Sequence, residues 1–210
     1  MRGAGATSTD SSGGGNNGTL VNSPSWVSGK VGGALSFNGT NQYASLGDIT
    51  PLQFERTNSF SGSFWIKISS FQQSSIFSKM NSANGYDLGL LESNGTVMDV
   101  FLSNTWTTNA FRARATFASP VADNNWHYIV TTYNGSSQNT GVKIYIDGNL
   151  ATMSYVQENS LSGSILQPGV YASIGSRSDG QLFKGQIDEV RIYNRALSAA
   201  EIMALYNATK

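Results

Sequence analysis

The chain has 210 residues, 13 basic and 13 acidic side chains, a formal net charge of zero and no cysteine. This balance argues against a nucleic-acid partner, which needs a basic face to offset phosphate charge. The lack of cysteine excludes disulfides, thiolate catalysis and Cys-ligated zinc.

The length suits one large all-β domain. No apolar run reaches the ~18 residues of a membrane-spanning helix, so no membrane insertion is expected. Charged residues are only 12% of the chain, and the 23 glycines fit numerous turns. A neutral surface rich in Asn, Ser and Thr suits an extracellular or cell-surface domain.

After Met1 and Arg2, residues 3–18 are Gly, Ser, Thr, Ala and Asn with Asp10, and the stretch 1–18 reads as an N-terminal loop or linker that buries no core. Residues 19–210 then form the domain. "ALSFNG" and "NQYASLG" alternate as strands, and "SFWIKI" sets Phe64, Ile66 and Ile68 against Trp65 and Lys67. "SSIFSKM" and "YDLGLLES" pair across "NSANG", and "VMDVFL" follows the turn "SNGT". "WHYIVTTY" and "VKIYIDG" alternate again, and Asp147-Gly148 is a hairpin turn leading into "NLATMSY". Period-two strands recurring about every ten residues predict a two-sheet sandwich.

From Ala172 the chain reads as strand, glycine turn, second strand and closing helix. Ser198 and Glu201 form a capping box, and Leu197 and Ile202 occupy hydrophobic-staple positions. Ile202, Leu205 and Tyr206 share one helix face.

Five stretches in this order resemble the laminin-G-like, concanavalin-A-like family of bacterial surface proteins. They are "DSSGGGNNGTLVNSPSWVSGKVGGALSFNGTNQYASLGD", "FSGSFWIKI", "NNWHYIVTTYNG", "VKIYIDGNLA" and "GQIDEVRIYNRALSAAEI". The resemblance runs from Asp10 to Ala208 and implies an antiparallel jelly-roll sandwich with a short C-terminal helix. Members of that fold bind sugars, proteins or calcium, or act as spacers, so function does not follow from it. Relatives open with an aromatic-rich strand that pairs near the closing strand "IDEVRIYN". This chain starts where that strand would finish, which leaves the closing strand with an open edge. Either the start is simply shortened, or another chain supplies a strand by β-augmentation.

Catalysis has little support. His127 is the only histidine and reads as a sheet-face residue. Retaining hydrolysis needs two carboxyl groups about 5 Å apart. The only close acidic pair in the sequence, Asp188-Glu189, points to opposite faces of a strand. The chain is therefore read as a non-enzyme.

The loop "TDSSGGGNNGT" offers Asp10, Asn16, Asn17 and glycine carbonyls, the oxygen chemistry that suits calcium. The resemblance implies a structural Ca2+ on Asp10 and Asp188, with Gly13 and Asn16 as further ligands. The plainer reading makes Asp10 a linker residue and Asp188 a turn cap. For a glycan, "LSNTWTTNAFRARATF" places Trp106 beside Asn104, Asn109, Arg112 and Arg114. As a strand pair it would put both arginines on one face, able to grip an acidic sugar. The plainer reading has Trp106 anchoring a loop and the arginines solvated. "GSRSDGQLF" reads as a turn, and Trp26, Trp65 and Trp126 as packing residues.

The expected function is a non-catalytic extracellular recognition module, with glycan the favoured partner and a surface protein next. The alternative is a structural or adhesive subunit of a cell-surface assembly, whose first strand comes from another chain.

Overall fold

The computed structural model describes residues 2–81, 83–155 and 160–210. In chain order the first strands are β1 (Arg2–Ala4), β2 (Thr7–Thr9), β3 (Gly18–Val21), β4 (Ser25–Ser28), β5 (Gly33–Asn38) and β6 (Tyr43–Gly47). Next come β7 (Phe60–Lys67), β8 (Ser74–Ser75), β9 (Phe77–Met80), β10 (Gly85–Glu92), β11 (Val97–Thr105) and β12 (Asn109–Thr116). The last are β13 (Trp126–Tyr133), β14 (Val142–Ile146), β15 (Asn149–Leu150), β16 (Thr152–Ser154), β17 (Ala172–Ile174) and β18 (Lys184–Tyr193), followed by α1 (Ala199–Thr209).

The described strands make an antiparallel jelly-roll sandwich. An 11-stranded sheet runs β1-β2-β3-β6-β17-β9-β10-β11-β12-β16, with β8 also paired to β10. A 7-stranded sheet runs β15-β14-β13-β7-β18-β5-β4. Period-two alternation sends Phe64, Ile66, Ile129 and Ile144 of the small sheet inward against Val100, Leu102, Phe111 and Ala113 of the large one.

At its central strands β7 and β13 the small sheet is buried on both faces. Its other side carries Trp65, Tyr128, Val130 and Tyr145, covered by Leu197 and Ile202 of the helix region. The expected capping box is present: Ser198 Oγ accepts from the Glu201 amide, and Glu201 accepts from the Ser198 amide. Trp65 Nε1 donates to Thr209 Oγ1 at 3.0 Å and ties the far end of α1 down. Full burial of Ile202 stabilises this packing by about 2–3 kcal/mol. The hairpin turn between β14 and β15 also forms as read, with positive φ at both Asp147 (50°) and Gly148 (81°), as a type I′ turn requires.

The structure differs from the sequence reading at the N-terminus. Residues within 1–18, read as loop or linker, include the β1–β2 hairpin, and β2 pairs with β3 through Thr7↔Thr19. Thr7 and Thr9 favour extended backbone, and Gly5 supplies the left-handed turn at φ 63°. The closing strand is likewise not an edge strand. β18 lies between β5 and β7, although its pairing with β5 covers only Lys184–Ile187. Pairing with β7 continues to Tyr193, past an extra residue inserted between Asp188 and Arg191, where Glu189 has φ 47°.

Candidate functional site

The outer face of the large sheet is polar because of strand alternation. Leu20, Ala44, Ile174, Phe77, Tyr86, Leu102 and Phe111 turn to the core. Their sequence neighbours form one row on the opposite face: Thr19, Ser45, Ser173, Ser78, Asp87, Phe101 and Arg112, each directly across from the next. The row crosses β3, β6, β17, β9, β10, β11 and β12.

Its serine half floors a groove of about 430 Å³ lined by Tyr43, Ser45, Ser78, Tyr171, Ser173 and Arg177, among others. Tyr171 is 63% exposed. Its loop is held from below by buried Lys79, whose Nζ contacts Asp48 at 2.7 Å and the Val170 and Gln167 carbonyls at 2.5 and 3.2 Å. The Lys79 hydrogen bond, with one from the Gly169 amide, holds the Asp48 carboxyl below its usual range. The opposite rim is fastened by Gln72 Nε2, which donates to the Gly39 and Leu182 carbonyls at 2.6 and 3.0 Å. Ser78 Oγ donates to the Ser176 carbonyl at 2.9 Å. The groove is therefore preformed, with aromatic flanks and a hydroxyl floor.

The other half of the row carries an ionic cluster. Arg114 faces Asp99 across the strands, with Nε–Oδ1 at 2.7 Å and Nη2–Oδ2 at 2.6 Å. Arg112 Nη2 reaches the same Asp99 Oδ2 at 2.5 Å, and Arg114 Nη2 reaches Glu92 at 2.5 Å. Burial pushes the Asp99 carboxyl up, and the Arg114 hydrogen bonds oppose it. The guanidinium groups of Arg112 and Arg177 lie 5.3 and 5.9 Å from the Phe101 ring centre. Arg177 also forks onto Asp179 at 2.8 and 2.7 Å. Beneath it sits Asp87, fully buried, its carboxyl pushed up to about 6 by desolvation against the opposing charge of Arg177.

The sequence-predicted ligand residues separate. Arg112 and Arg114 do share a face, but they are locked onto Asp99 and Glu92 rather than solvated. Trp106 is 38% exposed and packs on Phe101 with centroids 5.0 Å apart. Asn104 does not join them: it follows core-facing Leu102 by two residues and donates to the Ser164 carbonyl at 2.6 Å, pinning a loop. "GSRSDGQLF" is a turn, yet it delivers Arg177 to the face. Tyr43, Tyr171 and Asp87 carried no local signal of a shared site. The Asp99/Phe101 and Arg112/Arg114 spacing was a usable one, because a hairpin between them places like parities opposite each other.

The predicted metal ligands are tied to different loops. Asp10 accepts from the Ser12 and Asn16 amides and from both of their side chains, folding its own loop. Gly13 sits in that loop at φ 87°. Buried Asp188 accepts from the Val31 amide at 2.9 Å and the Glu189 amide at 2.7 Å. Among the described residues, no group of three or more His, Asp or Glu side chains could hold a metal ion. Glu189 pairs with Arg191 at 2.5 Å rather than with Asp188. His127 lies on the small sheet between Asp147 (2.9 Å) and Asp123 (3.1 Å), bonded through its two ring nitrogens.

Solved structures share this fold at low sequence identity. The binding domain of Paraclostridial Mosquitocidal Protein 1 aligns with a TM-score of 0.72 and 17% identity, over 95% of this chain and 49% of that one. Domain 4 of AbnA, an extracellular arabinanase from Geobacillus stearothermophilus solved with arabinotriose, aligns at 0.62 and 20%, over 93% and 91%. A botulinum neurotoxin type C structure, described for cell entry dependent on two ganglioside molecules, aligns at 0.63 and 18%, over 96% and 48%. The chain spans about half the length of these toxin structures. No curated protein sequence matches it. No helix among the described residues is long and apolar enough to cross a membrane. The family model of the concanavalin A-like lectin/glucanases superfamily matches residues 38–203, and the chain belongs to that superfamily.

Proposed function

We propose that this chain is a non-catalytic glycan-binding module of a secreted or cell-surface protein, and that the groove on the outer face of the large sheet is its site. The carrying observation is the exposed Tyr171 and half-buried Tyr43 flanking a floor that presents part-buried Ser45 and Ser173, with Ser78 buried beneath and its hydroxyl given to the Ser176 carbonyl. Aromatic faces take the C–H surfaces of sugar rings, and hydroxyls both donate and accept to match sugar hydroxyls. The arabinotriose held by the similar arabinanase domain and the gangliosides of the similar toxin are consistent with this use of the fold. Asp87 and Asp99 are fully buried beneath arginines, whereas a general acid or nucleophile must touch the sugar. Titration with arabinotriose and a panel of other oligosaccharides tests the reading. Binding lost in Tyr171→Ala with the fold intact supports it; binding that survives both Tyr171→Ala and Tyr43→Ala ends it.

A further inference from the structure

We propose that the groove selects uncharged oligosaccharides over acidic ones, with Arg177 as the specificity-determining residue and the ligand lying along the strands between Tyr171 and Tyr43. This rests on the glycan-binding reading above and adds the class of sugar.

Arg177 is the one charged side chain among the described residues lining the groove. Its charge is already matched. Asp179 takes its Nε and Nη2, and Asp87 stands behind Nη1 at 3.6 Å. A sugar carboxylate approaching Arg177 would have to displace Asp179 while facing the buried charge of Asp87, which is an arrangement that rejects anions. A neutral hydroxyl meets no such repulsion. The neighbouring arginines offer no alternative anion site, because Arg112 and Arg114 are closed onto Asp99 and Glu92. In this proposal Arg112 and Arg114 therefore do not grip an acidic sugar.

The ladder also sets the direction of the ligand. Ser45 pairs with Ser173, and Ala172 pairs with Gly47, so Tyr43 and Tyr171 lie at opposite ends of the serine floor. Four to five residues of extended chain separate them along the sheet, roughly 13–16 Å. That span suits a short oligosaccharide rather than a single ring.

The test is calorimetric titration of the intact chain with two sets of probes. The neutral set is arabinotriose, cellotriose and xylotriose; the acidic set is trigalacturonic acid and sialyllactose. At least one neutral probe should bind at least roughly tenfold more tightly than either acidic probe. Asp179→Asn, in an exposed turn, leaves the Arg177 charge opposed by Asp87 alone and frees its Nε and Nη2, and should shift the ratio toward acidic probes by about tenfold. Acidic probes binding as tightly as neutral ones, with binding still lost in Tyr171→Ala, would overturn the selectivity and leave the site standing. No binding by either set, or binding indifferent to both tyrosines, would overturn the site and the selectivity together.

Discussion

Nη1 of Arg177 stands 3.6 Å from Oδ2 of Asp87, and neither atom has a hydrogen-bond partner among the described residues. The pair is close enough for attraction and too far apart for a bond. A fully buried carboxylate with only one hydrogen-bonded oxygen, Oδ1 to the Gly89 amide at 2.9 Å, is costly when charged.

Asp87 therefore makes stability depend on pH in a defined direction. Its carboxyl titrates near 6 in the folded chain, above its unfolded value, so the native state keeps a proton that the unfolded chain has released. Stability should fall by on the order of 2–3 kcal/mol as pH rises from about 4 to 6. Asp99 acts in the same direction, so the comparison with Asp87→Asn isolates the Asp87 share. Denaturant midpoints at about pH 4.5 and pH 7 check this: the variant should lose much of the fall, and the same change with pH in wild type and Asp87→Asn contradicts the assignment.

His127 adds a further loss on the alkaline side. Its hydrogen bond with Asp147, aided by Asp123, raises its affinity for the proton despite partial burial. The stabilisation is full below about 6.5 and disappears as pH climbs through the raised folded value. His127→Gln should cost about 1–2 kcal/mol in mildly acidic buffer and less in alkaline buffer. Below about 4 the sign reverses for Asp123, because the hydrogen bonds from Asn125 and His127 outweigh desolvation and hold it at about 2. Equal destabilisation by His127→Gln at both ends of the range would sink the ion-pair account.

Removing Arg114 should be more damaging than removing a solvated arginine. Asp99 is fully buried and accepts from Arg114 through both oxygens. Arg114→Ala leaves that carboxylate with Arg112 alone, and breaking a buried pair costs about 3–5 kcal/mol. Chemical denaturation reads the loss; a change below about 1 kcal/mol would mean the pair behaves as a surface contact.

Calcium is expected to shift the thermal midpoint little. The Asp10 carboxylate is already held by amide and side-chain donors of its own loop, which lower its proton affinity, led by the Ser12 amide. A cation there must displace those donors. Unfolding scans with calcium and with chelator decide it: a clear calcium-dependent rise, lost in Asp10→Ala, would place a metal in this loop.

The sequence by itself determined the elements whose signals are local. Phe64, Ile66 and Ile68 set the parity of their segment, Asp147-Gly148 specified a turn, and Ser198 with Glu201 specified a helix start, because each depends on residues a few positions apart. Arg112 and Arg114 on one face followed from the same rule. What only the tertiary structure decided is which strands become neighbours. The row from Thr19 through Ser45, Ser173, Ser78 and Asp87 to Phe101 and Arg112 takes its members out of chain order. Period-two alternation says that each lies on a face, but not which distant strand lies beside it. Pairing is settled by closing long loops around a shared core, so the Tyr43–Tyr171 groove and the Asp87–Arg177 pair exist only once the sandwich has formed.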